Sequence, residues 1–279
     1  MEVEVRVMSQ ADIPSAMRMT IEAGWNQTEA DWQRLLAASP DGCFVAVLGG
    51  SVVGTVTTIT YEKTLSWIGM VLVEQRYRRQ GIGTTLLVKA IEYLERRGIP
   101  CMKLDATPAG KPLYETLGFR EDYEIERWSL KRTGLQNSSR RSSPNIDSLL
   151  SLDRTVFGAD RSNLLASLFD AAPHFTRIAG RNAAIEGYTF GRRGSLADHL
   201  GPWIARNERA ASTLLHDFLE TSDRELLFVD CVTSTPWART IVRSEGFTFS
   251  RRLTRLYRGR NHNAGQLQLV GAILGPEFG

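Results

Sequence analysis

The sequence predicts a two-domain α/β protein, each domain a mixed β-sheet flanked by helices. Three observations carry this: the length, a polar break near the midpoint, and an element order that occurs twice. At 279 residues the chain exceeds the roughly 100–200 residues of a usual single domain. Hydrophobic residues make up 42% and charged residues 23%, a globular balance that argues against collagen-like, disordered and disulfide-stapled classes. Residues 131–145, KRTGLQNSSRRSSPN, are polar and punctuated by Gly, Ser and Pro, as an exposed linker is. The division expected is a first domain over 1–130, a linker over 131–145 and a second domain over 146–279.

Taken in order, Val3, Val5 and Val7 alternate as a half-buried strand, and Ser9 caps an amphipathic helix running to Ala23. Thr28, with Asp31 three residues on, reads as a capping arrangement for a second helix over Asp31 to Ala38. Cys43 to Leu48 and Val52 to Tyr61 are β-rich and joined by Gly49-Gly50, a hairpin signal because both glycines tolerate positive φ. A third strand, Trp67 to Val73, leads through a polar segment to Gly81. A helix then runs to about Arg97, with Ile82, Leu86, Leu87, Ala90, Ile91 and Leu94 on one stripe. Cys101 to Asp105 reads as a strand, Pro112 to Leu117 as a short helix stopped by Gly118, and Glu121 to Leu130 as the last strand of this half. The second half repeats the plan more loosely. Leu104-Asp105 followed by LYETLGFRE matches Val229-Asp230 followed by IVRSEGFTF, and each continues into a charged and aromatic strand, the later one ending near Tyr257.

Charge and cysteine usage exclude several function classes. The net charge is +3, with 14 basic and 17 acidic side chains in residues 1–130 against 20 and 14 in the remainder. The C-terminal cations are almost all Arg, but no base-stacking aromatics are interleaved with them, so no nucleic-acid partner is expected. No run approaches the roughly 18 apolar residues of a membrane span, and the acidic, alternating start is unlike a signal peptide, so a cytoplasmic protein without membrane partners is expected. Cys43, Cys101 and Cys231 lie far apart with no CxxC, which signals neither a disulfide framework nor a metal site.

The segment that carries chemistry is SWIGMVLVEQRYRRQGIGTTLL: a strand, a loop bearing three Arg, then Gly81-Ile82-Gly83-Thr84 entering a long helix. Glycines let backbone approach an oxyanion, the first helical N–H groups lack partners, and the helix dipole adds positive potential there. A diphosphate suits such a site. The dinucleotide fingerprint needs a small residue where Leu86 stands, and the P-loop needs Gly-Lys-Ser/Thr, so both of those alternatives fail on residues.

Arg78-x-x-Gly81-x-Gly83 after an apolar strand resembles motif A of the GNAT superfamily of N-acetyltransferases, and Tyr114-Glu115-Thr116-Leu117-Gly118-Phe119 resembles its Tyr-x-x-x-Gly-Phe. Over the whole chain, phrases such as GWNQ, LDATPAG, FGADR and LGPW resemble bacterial proteins with two GNAT domains in tandem, the second degenerate. The resemblance implies acetyl-CoA as co-substrate. It implies that Val71, Leu72 and Val73 hold the pantetheine arm with their backbone and that Arg79, Gln80, Gly81, Ile82, Gly83 and Thr84 cradle the pyrophosphate. Arg76 or Arg78 reaches the remaining phosphate. Thr107 stands where the superfamily often has Asn, placing a hydroxyl in the position of an amide.

Acyl transfer to an amine needs a neutral nucleophile, a polarised carbonyl and a proton for the leaving thiolate. Tyr114 is the candidate acid, because a phenol with a reference pKa of about 10 stays protonated at neutral pH. Glu62 and Asp105, at the ends of strands flanking the motif, are the candidate bases. Trp25, Asn26 and Gln27, between the first two helices, are the candidate acceptor-binding residues. In the second half Arg206-Asn207-Glu208-Arg209 replaces the Gly-rich loop and Val242 stands in the place of Tyr114. Trp203, Asp230 and Tyr188 read there as core. The function expected is acetyl transfer from acetyl-CoA to a primary amine of a small metabolite in a ternary complex, by a monomer or homodimer. A non-catalytic acyl-CoA-binding sensor is the alternative.

Overall fold

The computed structural model describes residues 3–133, 146–181, 184–261 and 265–279. The elements in chain order are β1 (Glu4–Val7), α1 (Ile13–Glu22), α2 (Glu29–Ala38), β2 (Phe44–Leu48), β3 (Ser51–Tyr61), β4 (Leu65–Val73), α3 (Ile82–Arg96), β5 (Cys101–Ala106), α4 (Lys111–Thr116) and β6 (Arg120–Lys131). They continue as α5 (Asp147–Phe157), α6 (Ser162–Ala171), β7 (Arg177–Arg181), β8 (Ala184–Arg193), β9 (Asp198–Ala205), α7 (Glu208–Thr221), β10 (Leu226–Val232), α8 (Pro236–Ser244), β11 (Thr248–Gly259) and β12 (Val270–Ala272). Contacts group these into two compact units that are not the two halves of the chain. Unit 1 is Met1–Arg120 with Leu256–His262 and Phe278, and unit 2 is Glu121–Arg255 with Asn263–Glu277 and Gly279.

In unit 1 the strands run in the order β1-β2-β3-β4-β5, followed by the end of β11. The cap predicted at Thr28 forms: the Asp31 carboxylate accepts from the N–H and hydroxyl of Thr28 at 2.8 and 2.9 Å, and α2 begins at Glu29, two residues before Asp31, whereas Ser9 caps a 3-10 turn over Gln10–Asp12 that precedes α1. Gly49 and Gly50 take φ of 57° and 80°, closing the β2–β3 hairpin. The apolar stripe of α3 packs Leu86, Leu87, Ala90 and Leu94 against Phe44, Val56, Ile68 and Met102 of the sheet. Burial of each such side chain contributes about 1.5–3 kcal/mol. Leu256, wholly buried, belongs to this same cluster. The backbone N–H of Arg260 donates to Pro100 O at 2.8 Å, and Gly259 takes φ of 91° where a Cβ would stand 2.2 Å from that oxygen, a fit open only to glycine.

Two irregularities open this sheet. Between the pairs Thr57↔Gly69 and Thr55↔Leu72, Met70 and Val71 of β4 face the single residue Val56 of β3, which is a β-bulge. Met70 takes φ of 49°, and the Thr55 hydroxyl donates to its carbonyl at 2.7 Å. On its other edge β4 pairs in parallel with β5 only at Leu65↔Cys101, Ser66↔Met102 and Trp67↔Lys103. Beyond Trp67 the strands part, leaving a wedge between Gly69–Val73 and the end of β5.

Unit 2 has the order β11-β6-β10-β12-β9-β8-β7. Its core gathers Leu214, Leu215 and Phe218 of α7, Trp203, Val229 and Val242. Its parallel pair behaves differently from that of unit 1. β10 pairs with β9 from Leu227↔Asp198 to Val229↔Leu200, and past that point β12 lies between them, Ala272 pairing with Cys231 on one side and Trp203 on the other. The counterpart wedge is therefore filled by β12.

The strand Glu121–Leu130, read from sequence as the last of residues 1–130, joins unit 2. It pairs antiparallel with β10, and Arg127 and Asp230, in register, form a buried bidentate ion pair at 2.7 and 2.6 Å. Of the linker predicted at 131–145, Lys131 ends β6, and Arg132 donates to the carbonyls of Leu219, Ser222 and Arg224 at 2.7, 2.8 and 2.9 Å. Residues 134–145 lie outside the described residues.

Candidate active site

The loop from β4 to α3 is shaped by its own charges. The Glu74 N–H donates to Val53 O at 2.9 Å, and a 3-10 turn follows over Gln75–Tyr77. Arg76 stacks over the Tyr77 ring at 4.9 Å and pairs with Glu74 at 3.2 Å, and it does not line the cleft that Arg78 and Arg79 border. The Gln80 amide donates to Arg76 O at 3.3 Å, and Arg78 Nε donates to Val73 O at 2.9 Å, tying the loop to the end of β4. Arg79 and Gly81 take φ of 61° and 83°, reversing the chain into α3.

Gly81 is the N-cap of α3 and no side chain caps it. The first helical hydrogen bond runs from Thr85 N–H to Gly81 O at 3.0 Å. The amides of Ile82, Gly83 and Thr84 therefore have no acceptor within the helix, and the dipole adds about half a positive charge at that end. These amides, with Arg78 and Arg79 beside them, make a positively polarised corner whose chemistry suits an anion.

A cleft of about 470 Å3 lies in front of them. Its walls are Val71 and Val73 from β4, Gly81, Gly83 and Thr84 from the turn into α3, Asp105 and Thr107 from the end of β5, and Leu113 and Tyr114 from α4. Trp25 closes one side. It is placed by the end of α1, where Gly24 at φ of 65° lets the Trp25 N–H reach Thr20 O at 3.0 Å.

Tyr114 is set by a local device. Thr107 O accepts from the amides of Gly110 and Lys111, both at 3.0 Å, which starts α4 immediately after β5. A Cβ at Gly110 would stand 3.1 Å from Tyr114 Cε2, so the missing side chain leaves room for the phenol ring. The ring meets Phe119 edge-on at 6.2 Å. Among the described residues the structure gives the Tyr114 hydroxyl no hydrogen-bond partner. Burial pushes the phenol up to about 12, so it is fully protonated at neutral pH.

The structure thus brings together Val71, Val73, Arg78, Arg79, Gly81, Gly83, Thr84, Asp105, Thr107, Tyr114 and Trp25 from the sequence-predicted set. Leu72, Ile82, Asn26 and Gln27 are buried and do not line the cleft. Glu62 is not in the lining. It sits at φ of 53° on the exposed turn between β3 and β4, at the opposite end of β4 from Val73. Nine residues of strand place the two ends of β4 about 26 Å apart. Tyr77, Ala109, Gly110 and Leu113 line the cleft without having been singled out. Ala109-Gly110, a small pair just before the Tyr-bearing helix, was the readable signal.

The counterpart features of unit 2 differ at each point. The start of α7 is capped, Asn207 Oδ1 accepting from Ala210 N–H at 2.9 Å, and Glu208 adds a negative charge there. Val242 is buried in the core. Asp230 holds Arg127, with His199 Nε2 3.3 Å away. Tyr188 donates to Asp153, itself paired with Arg161. These are interior groups.

Comparisons with known proteins give the family and the fold. The sequence model described as "Acetyltransferase (GNAT) family" matches residues 13–119, and a second, "Acetyltransferase (GNAT) domain", matches residues 149–271. The chain is 24% identical over 219 residues to YitH of Bacillus subtilis, an uncharacterized N-acetyltransferase, covering 76% of each chain. It is 30% identical over 134 residues to N-alpha-acetyltransferase 30 of Homo sapiens, a match that spans 45% of this chain and 37% of the human one. A crystal structure of a putative acetyltransferase from Pyrococcus horikoshii has the same fold, with a TM-score of 0.82 at 22% identity over 99% of this chain and 96% of the other. The chain belongs to the GNAT acetyltransferases: it is an acyltransferase with two GNAT domains in tandem.

Proposed function

We propose that unit 1 transfers an acetyl group from acetyl-CoA to the primary amine of a small metabolite, by direct attack within a ternary complex. The observation that carries this is the alignment, around one cleft, of the free amides at Ile82–Thr84, the parted edge of β4 and the unpartnered hydroxyl of Tyr114. The glycines fit the donor's diphosphate: Gly83 presents no side chain to the cleft, and Arg78 and Arg79 add positive charge. In this reading the edge of β4 from Val71 to Val73 hydrogen-bonds the extended arm and polarises the thioester carbonyl. As the C–N bond forms and the C–S bond breaks, the attacking nitrogen gives up a proton, to Asp105 directly or through water, and Tyr114 gives its own to the departing sulfur and is reprotonated from solvent. Thr107 supplies a hydroxyl beside Tyr114. Asp105, the carboxylate of the lining, draws the amine into place, and Trp25 borders the acceptor side.

A second reading takes the acceptor to be the α-amine of a peptide, and is favoured by the 30% identity to N-alpha-acetyltransferase 30. The test is free-thiol release from acetyl-CoA with a panel of small amines and of short peptides. Small amines should support turnover, and Tyr114→Phe should lower kcat by about 10²-fold or more, the usual contribution of a positioned acid. Turnover on peptides alone would select the second reading. No thiol release with any acceptor, or full activity of Tyr114→Phe, would overturn the mechanism.

A further inference from the structure

The helix that carries Tyr114 is only six residues long, from Lys111 to Thr116, and such a helix is marginal by itself. Its C-terminal carbonyls need partners. Leu117 O receives the Nε–H of Arg258 at 3.1 Å. The same guanidinium places Nη1 at 2.5 Å from Glu95 Oε1, in the last turn of α3. Arg258 thus bridges the ends of the two helices that form the cleft, one bearing the phosphate-binding amides and the other the phenol. Its own position is firm, since Leu256 is buried in the core of unit 1 and the chain just beyond is bonded to Pro100. Gly118 fits this contact: at φ of 83° it turns the chain, and a Cβ there would stand 3.6 Å from Arg258 Nε.

We infer that Arg258, from the far end of the sequence, is a positioning residue for Tyr114. It holds α4 in register with α3 so that the phenol faces the cleft. This rests on the reading of Tyr114 as the proton donor. The planar fork of arginine serves two acceptors at once, which the single ammonium of lysine does not do in the same geometry. The ion pair with Glu95 is partly exposed and contributes little to global stability. Its consequence is local, in the placement of one short helix.

The experiment compares the full-length chain with Arg258→Ala and Arg258→Lys, each alone and combined with Tyr114→Phe. Because a displacement of about 1 Å lowers rates by up to 10²-fold, Arg258→Ala is expected to lower kcat by about tenfold. The KM for acetyl-CoA should stay near the parent value, since α3 keeps its own cradle. In the Tyr114→Phe background the same change should have almost no effect on kcat. Hydrogen exchange should quicken at Leu117, Gly118 and Phe119, whose amides bond back to Tyr114 and Glu115, and not along α3. Should the alanine variant fail to fold, Arg258→Lys keeps the charge and most of the stem and answers the same questions. Parent-like kcat with unchanged exchange in 113–119, or an equal loss in both backgrounds, would overturn the inference. If Tyr114→Phe alone matches the parent, the acid assignment falls, while the exchange data still decide whether Arg258 holds α4.

Discussion

Replacing Gly83 by alanine separates folding from binding at the phosphate site. Gly83 is the second residue of α3 and has helical backbone. A Cβ there would lie 3.7 Å from Val73 Cγ2 and 3.9 Å from Leu113 Cδ2, ordinary contact distances, so the methyl is accommodated. Alanine in a helix is favoured over glycine by about 0.5–1 kcal/mol, and the variant should be as stable as the parent or slightly more so. The same methyl enters the cleft beside the free amides. Loss of one charge-assisted hydrogen bond, about 1.5–3 kcal/mol, corresponds to roughly 10- to 150-fold weaker binding of coenzyme A. Gly81→Ala gives the opposite sign in stability. At φ of 83° a side chain is strained by about 1–2 kcal/mol, and the variant should melt lower. Thermal denaturation of the ligand-free proteins and calorimetric titration with coenzyme A supply both readouts. If Gly83→Ala melts like the parent and also binds coenzyme A as the parent does, the diphosphate does not rest on these amides.

Further outcomes follow from the same structure. Calorimetry should give one coenzyme A per chain, because β12 fills the wedge of unit 2 and Asn207 caps α7; two equivalent sites would refute this. In unit 1, the Arg6 guanidinium, bonded to Asp12 at 2.7 and 2.8 Å, holds that carboxyl down to about 2 from 3.8. A lowered carboxylate pKa means stability present above pH 3.8 and lost as pH falls through 2. With the exposure of Arg6 discounted, Asp12→Asn should cost about 1 kcal/mol at pH 7, and its deficit should vanish in denaturant titrations below pH 2. With the Tyr114 phenol raised to about 12, deprotonation of Tyr114 should cause no loss of kcat below about pH 11; a limb near pH 8 that disappears in Tyr114→Phe would contradict the burial of that ring.

Much of unit 1 was legible because its signals are local. Thr28 and Asp31, Gly49-Gly50, the stripe from Ile82 to Leu94 and Gly81 before it each act within a few residues, through capping, positive φ or helical spacing. The cleft residues near Gly81 and Tyr114 were readable for the same reason. Glu62 was not placed by such reasoning, because adjacency to a strand does not say at which end of the sheet a residue lies. The antiparallel β3–β4 hairpin puts its turn at the end of β4 remote from the wedge. Asn26 and Gln27 follow Trp25 in sequence, yet the turn at Gly24 directs only the tryptophan to the cleft.

The amino-acid sequence by itself determined the kinds of element, their order, the duplicated plan and the oxyanion-binding turn, since each rests on interactions between residues close along the chain. Tertiary structure alone decided which strand lies beside which. Glu121–Leu130 and the strand ending near Tyr257 are both rich in charges and aromatics, and composition identifies a strand without naming its neighbour. Pairing of Arg127 with Asp230 sets the first in unit 2, while the second is divided, Thr248–Arg255 in unit 2 and Leu256–Gly259 in unit 1, where Leu256 is buried in the cluster of α3. The placement of β12 was likewise decided by long-range pairing, where the unsatisfied edges of β9 and β10 accept the last strand of the chain.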